Sequence, residues 1–307
     1  MPGRERAIRR ARAARQARAA RGARAARRAR AARWAQAGSA RGALRLRAVG
    51  ACAVVASIVV LALLVVSQRG RVAPSVNAER LRIQRQAATL FAGIPQHGLV
   101  LGQPTAPVTL QLFVDLEDHG DGTRWFDEML PPILEQFVRP NVVRLEFHSF
   151  KSDTLNRRPF FVQQVAALAA GAQNLLWNYA ATFMNEQGRE FTNYVTEEFL
   201  TGIAKQLPRL NIAQWERSRT IAMAKIVEAD IINARRVGFH DSPSFRIGLT
   251  GGKIKDFVGR HLETYPKYIV RKTPSGERYI AGVSSEWQHP VSLIDAVDLK
   301  KAVEELI

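Results

Sequence analysis

The chain has 307 residues, 45 basic and 27 acidic side chains, and a formal net charge of +18. Residues 1–47 hold sixteen arginines, one glutamate and no lysine, so the remainder is nearly balanced, with 29 basic and 26 acidic residues. The high pI therefore describes a tail and not the folded part. The single cysteine, Cys52, excludes both an intrachain disulfide and an intrachain thiol pair for redox work.

The tail is repetitive. ARAARQ, ARAARG, ARAARR and ARAARW fill residues 11–34, with arginine at every third position from Arg12 to Arg33. A step of three residues advances about 300° around an α-helix, so the arginines spiral over every face and leave no apolar stripe to pack on a core. Two readings stand for it: a solvated tail that sets topology, and a ligand of anionic lipid headgroups. Nucleic acid is disfavoured, because only Trp34 offers a stacking ring.

Residues 48–68, AVGACAVVASIVVLALLVVSQ, carry no charge. At 1.5 Å per residue they span about 30 Å, the thickness of a bilayer core. A cleaved signal peptide would have a short basic region and an apolar run of about 7–15 residues; the longer tail and run here predict an uncleaved anchor. The arginine excess predicts a cytoplasmic tail and an extracytoplasmic remainder.

Further along, residues 69–95 form a juxtamembrane segment with a weak helical pattern over 77–92, broken at GIPQHG. VTLQLFV, 108–114, predicts a strand buried on both faces. TRWFDEMLPPILEQFV, 123–138, predicts a helix kinked at Pro131 and Pro132. VVRLEFHSF, 142–150, alternates as a strand, and a right-handed crossover makes this β-α-β unit parallel. Residues 157–237 read as several helices. PSFRIGL and KIKDFVG form a hairpin about Thr-Gly-Gly, YIVRKTPSGERYIAGV forms another, and a helix closes the chain at 292–306. His148, His240, His261 and His289 are scattered singly. The predicted class is α/β, a thioredoxin-like fold over 96–307 with a helical insertion at 157–237, behind a single transmembrane helix.

GIPQHGLVLGQPTAPVTLQLFVDLE, followed by a helix containing LPPILEQFV and later by NARRVGFHDSPSFRIG, resembles the membrane-anchored DsbA-like, thioredoxin-fold disulfide oxidoreductases of bacteria. The resemblance covers about 93–259 and leaves 260–290 unexplained. In that family a Cys-x-x-Cys pair stands at the start of the first helix, where the helix dipole and free amides stabilise a thiolate. Here those positions fall on Asp118 and Asp121, or on His119 and Gly122 when counted back from the prolines. Neither register holds sulfur, so no catalytic residue is expected by transfer. The resemblance also implies a cis Ser242–Pro243 bond facing the turn. There the backbone of redox members pairs with an extended peptide, a contact that needs no cysteine.

Three readings stand for the acidic turn. Asp118 and Asp121 can accept from the first amides of the helix, each stabilised there by roughly 0.3–1 kcal/mol. With His119, and Asp115 or Glu117, they offer oxygen and imidazole to a divalent metal, though at no defined metal spacing. Asp118 and His119 could also move protons. The expected function is a redox-inactive, extracytoplasmic peptide- or protein-binding module with no cofactor and no metal. The alternative is disulfide-exchange activity that borrows a partner's thiols, or an Asp/His metal site.

Overall fold

In a computed structural model the structure describes residues 81–82, 85–86, 88–189 and 191–307. The predicted tail and membrane span lie outside the described residues. Among the described residues no helix is long and apolar enough to cross a membrane. Of the expected 77–92 helix, residues 81–82, 85–86 and 88–90 are helical.

The fold is built around one strand. β3 (Val108–Val114) buries six of its seven residues, as its unbroken apolar run predicts. It pairs in parallel with β4 (Val143–Ser149) and antiparallel with β5 (Ser244–Leu249). β4 alternates buried and half-buried positions. GIPQHG, expected only to break a helix, opens a short hairpin, β1 (Gln96–His97) and β2 (Val100–Leu101), which docks on β4. With β6 (Ile254–Phe257) the sheet has six strands in the order β1-β2-β4-β3-β5-β6.

The first helix, α1, begins at Asp121–Arg124 and continues through Trp125–Met129, Leu130–Ile133 and Leu134–Val138. The second and fourth of these segments are π-helical. The helix continues through Pro131 and Pro132, where a kink was expected, with widened π-turns on either side of them. Proline has no N–H to return to the preceding turn, and a π-turn accommodates the missing bond without ending the helix.

The insertion is five helices: α2 (Arg157–Gly171), α3 (Leu176–Glu186), α4 (Glu197–Ala204), α5 (Ile212–Ser218) and α6 (Ile221–Arg236). α2 runs through AALAAG with every residue from Gln163 to Gly171 buried. The small side chains let α3, α5 and α6 approach closely, and all three pack against it. Trp177 and Trp215 are fully buried and place their indole N–H on Leu99 O at 3.1 Å and Ala166 O at 2.8 Å. Each large side chain removed from water in this way contributes roughly 1.5–3 kcal/mol.

Beyond β6 two small sheets appear. β7 (His261–Glu263) pairs with β10 (Val291–Leu293), and β8 (Pro266–Lys272) pairs with β9 (Arg278–Trp287) in a ribbon around Pro274-Ser275-Gly276. The ribbon is the second hairpin predicted from sequence; β7 and β10 were not expected. The terminal helix α7 (Ala296–Leu306) starts later than 292, because Asp295 caps it and forms a reciprocal box with Asp298. Residues 291–293 are thereby freed to be strand.

Candidate functional site at the acidic turn

β3 and β4 run in parallel and β5 opposes them, so the ends of β3 and β4 and the start of β5 meet at one end of the sheet. Acidic residues collect there: Asp115, Glu117, Asp118 and Asp121 after β3, Asp153 after β4, and Asp241 before β5.

Asp115 is fully buried. Its Oδ1 accepts from Glu117 N at 3.1 Å, Thr154 Oγ1 at 2.5 Å and Gln163 Nε2 at 3.1 Å. Its Oδ2 accepts from Ser152 N at 3.1 Å and Thr154 N at 2.8 Å. Five donors leave this carboxylate no spare capacity for a metal. Its own N–H donates to Ser242 Oγ at 3.0 Å, tying the acidic turn to the segment before β5.

Asp118 acts as the turn's internal cap. Its Oδ1 accepts from Gly120 N at 3.2 Å and Asp121 N at 3.0 Å. Its Oδ2 is buried and makes no hydrogen bond. Gly122 is required beside it, since a Cβ there would lie 2.9 Å from Asp118 Cβ, Cγ and Oδ2. Burial, reinforced by the charge of Asp121, pushes the Asp118 carboxyl well above the ordinary carboxylate range. Asp121 is the first residue of α1 and not its cap; its Oδ1 accepts the Tyr265 hydroxyl at 2.8 Å. His119 sets its ring edge-on to Tyr194, with Nδ1 buried and unbonded.

The surrounding carboxyls are shifted the same way. Burial and then the charge of Asp115 raise Glu117 to about 7. Burial raises Asp153 well above its ordinary value, helped by Asp118 and Asp241. Burial raises Asp241 to about 6, with the charges of Asp121 and Asp115 adding to it. Burial and the crowding of acids in and around this turn thus favour the protonated form of these carboxyls, strongly so at Asp118.

Ser242 and Pro243 face this turn through a cis peptide bond, as the resemblance implies. Both are buried, which an open groove would not require. The Ser242 N–H is already bonded to Asp241 Oδ1 at 3.0 Å.

Asp118, His119 and Asp121 do not bring three ligand atoms together as a metal site would. Among the described residues the group that does is His261, Asp295 and Asp298. There Arg260 bonds both carboxylates, at 2.8 Å to Asp295 and 2.5 Å to Asp298, and takes the place of a cation.

Sequence reasoning found Asp118, His119, Asp121, Gly122, Ser242 and Pro243. It missed Asp153, Asp241, Tyr265 and Gln187, whose Nε2 donates to Leu116 O at 2.6 Å from the end of α3. These come from distant parts of the chain and carry no local motif; Asp241, next to Ser242, was the one within reach.

The thioredoxin family profile matches residues 95–256, more than half of the chain. The chain belongs to the thioredoxin family. Among solved structures it is similar to oxidised BdbD from Bacillus subtilis, at 16% identity over 69% of this chain and 96% of that one, with a TM-score of 0.47. It is also similar to DsbA2 from Pseudomonas aeruginosa (19% identity, 53% and 86% coverage, TM-score 0.42). A third is the thiol-disulfide exchange protein alpha-DsbA2 from Wolbachia pipientis (14% identity, 75% and 96% coverage, TM-score 0.42). No curated protein matches the sequence. This thioredoxin-family chain has one cysteine, so it lacks the Cys-x-x-Cys pair, and carboxyls and a histidine stand in the turn before α1.

Proposed function

We propose that the chain is a membrane-tethered, redox-inactive thioredoxin-family domain that binds extended segments of a partner protein outside the cytoplasm. The observation that carries this reading is the Asp118–Asp121 turn at the start of α1, with both aspartates buried, in a chain whose only cysteine is Cys52. Disulfide exchange needs a thiolate to attack and a second sulfur to resolve the mixed disulfide. A carboxylate can do neither. The cis Ser242–Pro243 bond beside the turn supports a surviving backbone-recognition face. The apolar stretch 48–68 and the sixteen arginines before it support a single-pass anchor with an extracytoplasmic domain and a tail at anionic lipid.

The test is insulin reduction by the full chain in detergent with dithiothreitol as electron donor. The expected rate equals that of the protein-free control. Turnover above that background would overturn the redox-inactive reading.

A further inference from the structure

Residues 257–307 lie beyond the family match, and two of them, Glu263 and Tyr265, reach the acidic turn and the first helix. Tyr265 donates its hydroxyl to Asp121 Oδ1 at 2.8 Å. Arg124, one turn into α1, bonds Glu263 at 3.1 Å. The same segment is anchored on its other side. Gly259 N donates to Ser292 Oγ at 2.6 Å, and a Cβ at Gly259 would sit 2.1 Å from Leu293 O, so the two backbones touch. β7 then pairs with β10, and Arg260 and His261 reach Asp295, the latter at 2.9 Å. The segment is thus pinned between the C-terminal helix cap and the first turn of α1.

At that turn the two aspartates and the neighbouring serine are closed off from solvent, while Gly120 is exposed and His119 half-buried. Asp118 and Asp121 are each 4% exposed and Ser242 is 1% exposed. The polar groups that an extended partner would meet are satisfied within the chain: the Ser242 N–H by Asp241, the Asp121 carboxyl by Tyr265, and the Gly120 and Asp121 amides by Asp118. A fold built to present this face continuously would leave such groups facing water.

We propose that residues 259–265 form a self-docked strap over the partner-binding face, so that an extended segment binds only when the strap lifts. This rests on the binding function proposed above and adds its regulation. The two side-chain ties, Tyr265–Asp121 and Arg124–Glu263, are the closure. The backbone pairing of β7 with β10 anchors residues 261–263, so the part that lifts is residues 264–265 with the Glu263 side chain. A ligand that binds only the open form is weakened in proportion to the fraction closed, so loosening the closure tightens binding.

The test compares the full chain with the variant Tyr265→Phe, Glu263→Ala, which keeps the ring and removes both ties. Amide hydrogen exchange over residues 117–124 reads strap opening. The fluorescence anisotropy of labelled, S-carboxyamidomethylated insulin B chain reads binding. The expected result is exchange at least tenfold faster and B-chain affinity at least fivefold tighter, with the melting temperature of the main transition within a few degrees of the parent. Unchanged exchange overturns the strap. Faster exchange with B-chain affinity unchanged or weaker overturns the competition. Absence of B-chain binding by both proteins overturns the binding function, and with it the regulatory role, whatever the exchange shows. A variant that melts far below the parent is replaced by Tyr265→Phe alone, read against the same outcomes.

Discussion

At the scale of single residues, the acidic turn divides its labour. Asp115 holds structure, because five donors from four other residues converge on it. Replacing it by alanine leaves several buried donors without an acceptor, at about 1–3 kcal/mol each where no water substitutes. Asp115→Ala should therefore cost about 3–5 kcal/mol in urea unfolding, whereas a mere end-of-strand residue would cost under 1 kcal/mol. The location of the turn and the lack of sulfur were legible in the sequence. The role of Asp115 was not, since Ser152, Thr154 and Gln163 lie 37, 39 and 48 residues away from it. Nor could spacing show that Asp118 would be sealed in, because its burial depends on Gly122 folding back against it.

Among elements, the link between α6 and β4 is electrostatic. Asp230 on α6 bonds His148 Nδ1 at 2.8 Å and Ser149 N at 2.9 Å, while His148 stacks on Phe113 with ring centroids 4.6 Å apart. Burial alone would lower the His148 pKa. The hydrogen bond with Asp230 and the charge of Glu146, 3.8 Å away, outweigh it and raise His148 to about 9. The same ring holds Glu146 at about 2, and the two shifts describe one interaction from either side. A histidine raised from 6.5 to about 9 contributes about 3 kcal/mol below pH 6.5, and that contribution is lost as pH rises through 9. His148→Phe keeps the stack and removes the charge, so it should cost about 3 kcal/mol at pH 6 and much less at pH 10 in urea unfolding. A cost independent of pH would place the contribution in packing alone.

Strands and helices with strong periodicity were legible at this scale, β3 to the residue. The errors came where a local device overrode the pattern. Two prolines in α1 are flanked by π-turns that periodicity did not show, and the Asp295 cap moved the start of α7 past β10. The singly scattered histidines, read as ordinary surface or packed residues, make local contacts; His240 and His289 stack with centroids 4.5 Å apart.

For the whole molecule, the buried charges set an unusual pH dependence. Glu117, Asp118, Asp153 and Asp241 all have raised folded-state values, so their ionisation opposes folding and stability falls as pH climbs from about 4 toward 7. His148 extends the fall from 6.5 to about 9. Glu146 and Asp295 are held at about 2, the first by His148 and the second by His261 and Arg260 against the opposing effect of burial. Their contribution is lost only as pH drops below about 4.5. The melting temperature should therefore peak near pH 4 and decline steadily to pH 9 by circular dichroism. A plateau or a rise between pH 5 and 7 would contradict the raised values of these carboxyls, and one between pH 7 and 9 that of His148. Fold class was legible at this scale because the order of elements is a property of the whole pattern. The place of 260–290 was not, since Tyr265 and Asp121 are 144 residues apart. Asp295 joins the end of the molecule to that place: it caps α7 and grips Arg260 and His261 at once. One carboxylate thus couples two local events, the winding of a helix and the seating of a strand, so Asp295→Ala should loosen both together.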